Sequence, residues 1–170
     1  MHGLQREYHE SGTLTRESRF EHGYMVAEKL YFLNGKTKSE LVQTKKGGVL
    51  HIVAKSFHDN GNKEFSGRFI EREQWSHFGF GSYWNYRSNL PIGVHRYYEK
   101  KGPLSAIERY KDGKREGVST YYREGGKMIE REDTYEDDHL VRRKEYDPSG
   151  KLSSDEEYFE DGSLKRRLGP

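Results

Sequence analysis

Histidine and acidic side chains are the groups of this chain best suited to hold a metal or move a proton, so their spacing is decisive. The eight histidines, His2, His9, His22, His51, His58, His77, His95 and His139, show neither His-x-x-x-His nor His-x-His spacing. Those are spacings that aim two imidazoles at one zinc ion, and without them surface or strand-packed histidine is the expectation. Glu136, Asp137 and Asp138 sit together at a turn, and "SSDEEYFEDG" is a second acidic run. Neither has the alternating acidic residues followed by glycine that build a calcium loop, so no metal is expected. "GFGSYW", Gly79 to Trp84, has two of the glycines of a phosphate loop but no third glycine and no Lys-Ser or Lys-Thr, which leaves a weak signal. No Gly-x-Ser-x-Gly elbow occurs. Acidic residues could form a catalytic pair across strands, but nothing separates such a pair from the solvated face of a charged sheet. The expectation is a protein with no catalytic residue and no cofactor, not an enzyme.

Nucleic-acid binding would need a basic track with rings interleaved. "VRRKEY" and "LKRR" come nearest, with Arg142, Arg143, Lys144, Lys165, Arg166 and Arg167. Nearby Asp and Glu make a cross-strand lattice of ion pairs the expected fate of these cations. The whole chain carries 30 basic against 28 acidic residues, so charge gives no reason to expect a nucleic acid or an anionic membrane as partner.

What must position these residues is a thin core. Leu, Ile, Val and Phe make up about 19% of the 170 residues, near the level at which chains stop folding. Thirteen Tyr and two Trp supply apolar surface whose polar ends can stay wet. The chain has no Cys, which removes disulfides and thiolate chemistry together. "MHGLQREYHESG" lacks the apolar core of a secretory signal, and no window approaches the roughly 18 consecutive apolar residues of a spanning helix. A cytoplasmic location is expected, or a periplasmic one if a signal segment has been removed.

One short pattern recurs: an aromatic residue, three others, then glycine. Gly12, Gly35, Gly61, Gly102, Gly126 and Gly150 stand 23, 26, 41, 24 and 24 residues apart, each four after Tyr8, Tyr31, Phe57, Tyr98, Tyr122 or Tyr146. About eight residues later a second aromatic follows in Phe20, Phe69, Tyr110, Tyr135 and Tyr158. A second turn comes next in "EHG", "KDG", "EDD" or "EDG", the last at Gly162. Glycine tolerates the positive φ of a tight hairpin, and the stretches between turns are rich in strand formers. Each period of about 24 residues reads as two strands and two turns, too small to bury a face alone and stable only when stacked. The expected fold is all-β, an elongated array of antiparallel hairpin repeats in a meandering sheet. One repeat domain spans 1–170, with regular repeats over about 3–61 and 93–165.

The 41-residue gap holds an aromatic-rich insert, about 70–92, expected to be irregular. Trp75, Phe78, Phe80, Tyr83, Trp84 and Tyr86 fall within twelve residues of it. A degenerate repeat would pack these rings in the sheet. A partner-binding loop or edge would use them as anchors, since Trp and Tyr dominate binding hot spots. These six are the candidate partner-binding residues.

"GVSTYYREGGKMIEREDTY" and "GVHRYYEKKGPLSAIERYKDGKREG" resemble the bacterial variant of the MORN repeat, with paired aromatics, a glycine turn, Lys-Leu and a following Glu and Tyr. The likeness covers most of residues 3–165 and is clearest from Gly93 to Gly162. The Tyr-x-Gly-x-Trp core of the eukaryotic pattern is absent, so that branch's membrane roles are not implied. Bacterial members of the variant family are commonly antitoxins or immunity proteins. The resemblance therefore implies a non-catalytic protein, expected to be monomeric, that occludes a cognate protein toxin. The rival expectation, from another class, is a scaffold that self-associates or attaches to a membrane surface.

Overall fold

The computed structural model describes residues 2–78 and 82–169, with backbone alone over 72–88. Among the described residues there is no helix. The strands in chain order are β1 (Gly3–Tyr8), β2 (Leu14–Glu21), β3 (Tyr24–Tyr31), β4 (Thr37–Lys46), β5 (Val49–Phe57), β6 (Lys63–Phe78) and β7 (Ser82–Tyr98). They continue with β8 (Leu104–Lys111), β9 (Lys114–Arg115), β10 (Gly117–Tyr122), β11 (Ile129–Glu136), β12 (His139–Tyr146), β13 (Leu152–Tyr158) and β14 (Leu164–Gly169). All lie in one open antiparallel sheet in sequence order, except that the short β9 pairs with β8 and β8 goes on to pair with β10. The fold is thus a meander in which each strand meets its neighbours in the chain, as hairpin repeats require.

The recurrent glycines make one kind of turn. At Gly12, Gly35, Gly61, Gly102 and Gly150 the glycine N–H donates to the carbonyl three residues back, and that residue's own N–H donates to the carbonyl just beyond the glycine. With glycine φ between 80° and 109°, this is a three-residue hairpin loop closed by a glycine bulge. The Gly126 copy is one residue longer, with Arg123 N–H reaching the Met128 carbonyl. At the other end of the strands the turns have two residues, both at positive φ: His22–Gly23, Gly47–Gly48, Asp112–Gly113 and Asp137–Asp138. The turn at Gly162 lies at that second end yet repeats the three-residue pattern. "EDG" therefore differs from "EHG" and "KDG", which the sequence alone had grouped together.

Register fixes two faces. On one, Ser18, Glu28, Leu41, Ala54 and Gly67 stand opposite one another on successive strands. Phe65 carries the same face to Tyr97, and His95 to Glu108. Beyond it, Ser119, Asp133, Arg143, Glu156 and Arg167 continue the row. This aromatic face holds the buried Ser18, Ile52, His95, Ala106, Ser119, Asp133 and Tyr135. The opposite face carries a row of alternating charge, Arg6, Glu17, Lys29, Glu40 and Lys55. Arg6 meets Glu17 at 2.9 Å, and Glu40 takes Lys29 at 3.0 Å and Lys55 at 3.6 Å.

The 41-residue gap does not break the stacking. Asn60 Nδ2 and Asn62 Nδ2 donate to the Lys100 carbonyl at 2.7 and 3.0 Å, so the turn at Gly61 sits directly beside the turn at Gly102. The same lacing, one period earlier, joins Asn34 to the Asp59 carbonyl at 2.9 Å. The extra residues lengthen β6 to 16 residues and β7 to 17, against 8 for β2, β3 and β8. Of the stretch 70–92, expected to be irregular, the described residues 70–78 and 82–92 are paired strand.

Candidate partner-binding surface

β5 pairs with β6 only as far as Leu50↔Glu71, and β8 pairs with β7 only as far as Gly93↔Tyr110. The β6–β7 ladder continues alone from Arg72↔Ser88 to Phe78↔Ser82. Those seven pairs form a two-stranded arm of roughly 20 Å that extends past the sheet at about 3.3 Å per residue. Trp75, Phe78, Tyr83, Trp84 and Tyr86 occupy positions along its backbone, while their side chains, and Phe80 altogether, lie outside the described residues.

At the base of the arm, on the aromatic face, an open groove of about 870 Å³ runs between the two-residue turns. Its lining includes Tyr24, Met25, Val26, Val49 and Leu50, with Glu21, Lys45 and Glu71 among its charged residues. Tyr24 is 72% exposed.

Below the arm, β6, β7 and β8 pack around His95. His95 is enclosed by Phe65, Phe69 and Tyr110 with ring centroids 5.3, 4.9 and 4.7 Å away, and its Nε2–H donates to the Arg68 carbonyl at 2.9 Å. Burial holds its pKa below the ordinary histidine value. Gly67 lies under these rings: a Cβ there would come 2.5 Å from Phe65 and 2.8 Å from His95. Next to them, Glu108 accepts from Tyr110 (2.7 Å) and Tyr121 (3.0 Å). Burial, then Glu108, raises the Tyr97 hydroxyl to about 12, and Tyr110 and Tyr121 are raised as well. These phenols stay protonated and donate, which makes the cluster a brace.

Asp133 is fully buried, and Arg143 grips it with two hydrogen bonds of 2.7 and 3.0 Å. Arg142, one residue away and on the other face, takes Asp155 in the same manner at 2.7 and 2.6 Å. Arg166 and Arg167 pair with Glu157 and Glu156 at 2.8 and 3.0 Å. The basic residues of "VRRKEY" and "LKRR" therefore divide between the faces instead of forming a track. The acidic turn Asp137–Asp138 is likewise engaged, by Lys114 at 2.6 Å and Arg115 at 3.2 Å.

One signal escaped the sequence reading. Tyr110, Tyr135 and Tyr158 each donate to the carboxylate two residues earlier, Glu108, Asp133 and Glu156, at 2.7, 3.4 and 2.7 Å. Where the repeat has Phe20 and Phe69, the residue two before is Ser18 and Gly67. An acid paired with a tyrosine and absent beside a phenylalanine was visible in the sequence as acid-x-Tyr.

The MORN repeat variant model matches residues 1–22 and 141–158, less than a quarter of the chain. The matches fall on β1–turn–β2 and β12–turn–β13, the units around Gly12 and Gly150. The same turn recurs at Gly35, Gly61 and Gly102. No curated protein matches the sequence. The family match and the hairpin array together support a MORN-repeat protein, and such repeats suggest a non-enzymatic role in binding.

Proposed function

We propose that this chain is a non-catalytic antitoxin or immunity-type protein that binds a cognate protein toxin and occludes it, with the β6–β7 arm and the groove at its base as the contact. The observation that carries this reading is the arm itself. It adds seven ladder pairs to one repeat without disturbing the stack, and it holds the positions of Trp75, Phe78, Tyr83, Trp84 and Tyr86. The alternating charges of the sheet would steer one partner and reject others. A cytoplasmic site of action belongs to the same proposal.

The test is recovery of the partner from the native host by tagged protein, with two variants beside it. One replaces Trp75, Phe78 and Trp84 together by serine. The other replaces 73–87 by Asp-Gly, so that Arg72 and Ser88 close a two-residue turn like Asp112–Gly113. Recovery of one stoichiometric protein that arrests growth when expressed alone, and its loss from both variants while they stay folded, is the expected result. Undiminished binding by the armless chain would refute the arm as contact, and recovery of no growth-arresting partner would refute the immunity role.

A further inference from the structure

Among the described residues neither edge of the arm is paired, and the two edges differ. The β6 edge over 72–78 reads Arg-Glu-Gln-Trp-Ser-His-Phe, with two charges at its base, whereas the β7 edge over 82–88 reads Ser-Tyr-Trp-Asn-Tyr-Arg-Ser with one. Charged residues are the usual protection of an open strand edge, and the β7 edge is the less protected. A two-stranded ribbon is also marginal alone, and a third and fourth strand would stabilise it.

The direction of the β7 backbone is fixed at its base. Gly113 N–H donates to the Pro91 carbonyl at 3.0 Å, from the side away from β6. Hydrogen-bonding direction alternates along a strand, and the β6–β7 register runs without a shift from Pro91 to Ser82. The N–H and C=O groups of Asn89, Arg87, Asn85 and Tyr83 therefore face the open edge. Pro91 sits in the same outward series, where a missing N–H leaves the ladder intact.

We infer that the β7 arm edge pairs antiparallel with the same edge of a second copy of this chain, about a two-fold axis at Asn85. The sequence is self-complementary in that register. Asn85 falls opposite Asn85, Trp84 opposite Tyr86, Tyr83 opposite Arg87 and Ser82 opposite Ser88. Aromatic positions meet aromatic ones, and the single cation meets a tyrosine instead of itself. The outward residues 83, 85 and 87 become the hydrogen-bonded pairs, as an axis through Asn85 demands. The result is a continuous four-stranded sheet across the two arms. Pairing by backbone leaves both faces of each arm open, so the dimer does not depend on the toxin-binding proposal.

Sedimentation of the purified full chain, without any partner, tests this. The expected result is a concentration-dependent dimer. Asn85→Pro removes an outward N–H but no β6–β7 hydrogen bond, and makes the chain monomeric with an unchanged circular dichroism spectrum. Tyr83→Lys sets a lysine against Arg87 twice in the symmetric pair and weakens the dimer by roughly tenfold. Adding Arg87→Glu to it restores association. A chain that is monomeric at its highest soluble concentration overturns the inference. So does a dimer that Asn85→Pro and Tyr83→Lys both leave intact.

Discussion

The Tyr110 hydroxyl donates to Glu108, two residues earlier on the same strand, at 2.7 Å. This short bond states the rule of the aromatic face: a phenol is used where the repeat has a carboxylate to receive it. A buried hydroxyl needs a partner and a partly buried carboxylate needs donors, so each residue justifies the other.

Removing only one side of that pair is therefore costly. Tyr110→Phe should lower stability by about 1–2 kcal/mol, because Glu108 keeps its burial and loses a donor. Glu108→Ser combined with Tyr110→Phe, which copies Ser18 and Phe20, should lose less than the sum of the single changes. Urea unfolding of the four proteins gives the coupling as a double-mutant cycle; strict additivity would show that the two residues do not depend on each other.

Asp133 is a stronger case, since it is fully buried and held by two hydrogen bonds from Arg143. Arg143→Ala removes both of these hydrogen bonds and leaves the buried carboxylate with Arg131 at 3.1 Å and the Tyr135 hydroxyl at 3.4 Å, and should cost about 1.5–3 kcal/mol. Arg166→Ala, whose ion pair with Glu157 is mostly exposed, should cost no more than about 1 kcal/mol. Equal losses in denaturant midpoint for these two arginines would contradict the assignment of burial as the cause.

Alkali should destabilise the sheet over a defined window. Burial and Glu108 raise Tyr97 from 10.0 to about 12, and the hydrogen bond to Glu132, then burial, raises Tyr146 to about 12. A raised folded value means the folded chain holds the proton more tightly. Its stabilising contribution is complete below about pH 10 and is lost as pH rises toward 12. Chemical denaturation at intervals across that range should show the decline, and Tyr97→Phe should flatten part of it.

Gly67 is set by what lies over it. An alanine Cβ would stand 2.5 Å from the Phe65 ring and 2.8 Å from the His95 ring. Gly67→Ala should cost about 1–3 kcal/mol by overpacking, and Gly67→Ala with Phe65→Leu should recover part of it. A neutral Gly67→Ala in thermal unfolding would show that the rings yield freely.

Much of the fold was legible because hairpins are local. A turn such as His9–Gly12 needs only nearby residues and a glycine at φ 83°, so the spacing of glycine and aromatic residues revealed the strands and their order. The difference between Asp112–Gly113, a two-residue turn, and the loop at Gly162 escaped, because both read as acidic residue then glycine. The groove beside Tyr24 and Leu50 was invisible, since it joins residues from different hairpins. So was the fate of Arg142 and Arg143, which a linear reading places together and a strand sends to opposite faces.

The sequence by itself determined the repeat, its period of about 24 residues, the positive-φ turns and the anomalous length around Trp75 to Tyr86. These depend on chain geometry over a few residues, which residue types report directly. Tertiary structure alone decided where the extra length went. Asn60 reaching Lys100 across forty residues keeps two turns side by side, so the surplus must leave the sheet at the far end as an arm. It also decided which carboxylates are braced and which are free to meet solvent, because that depends on the neighbour supplied by the next strand through register, and register is a property of the assembled sheet.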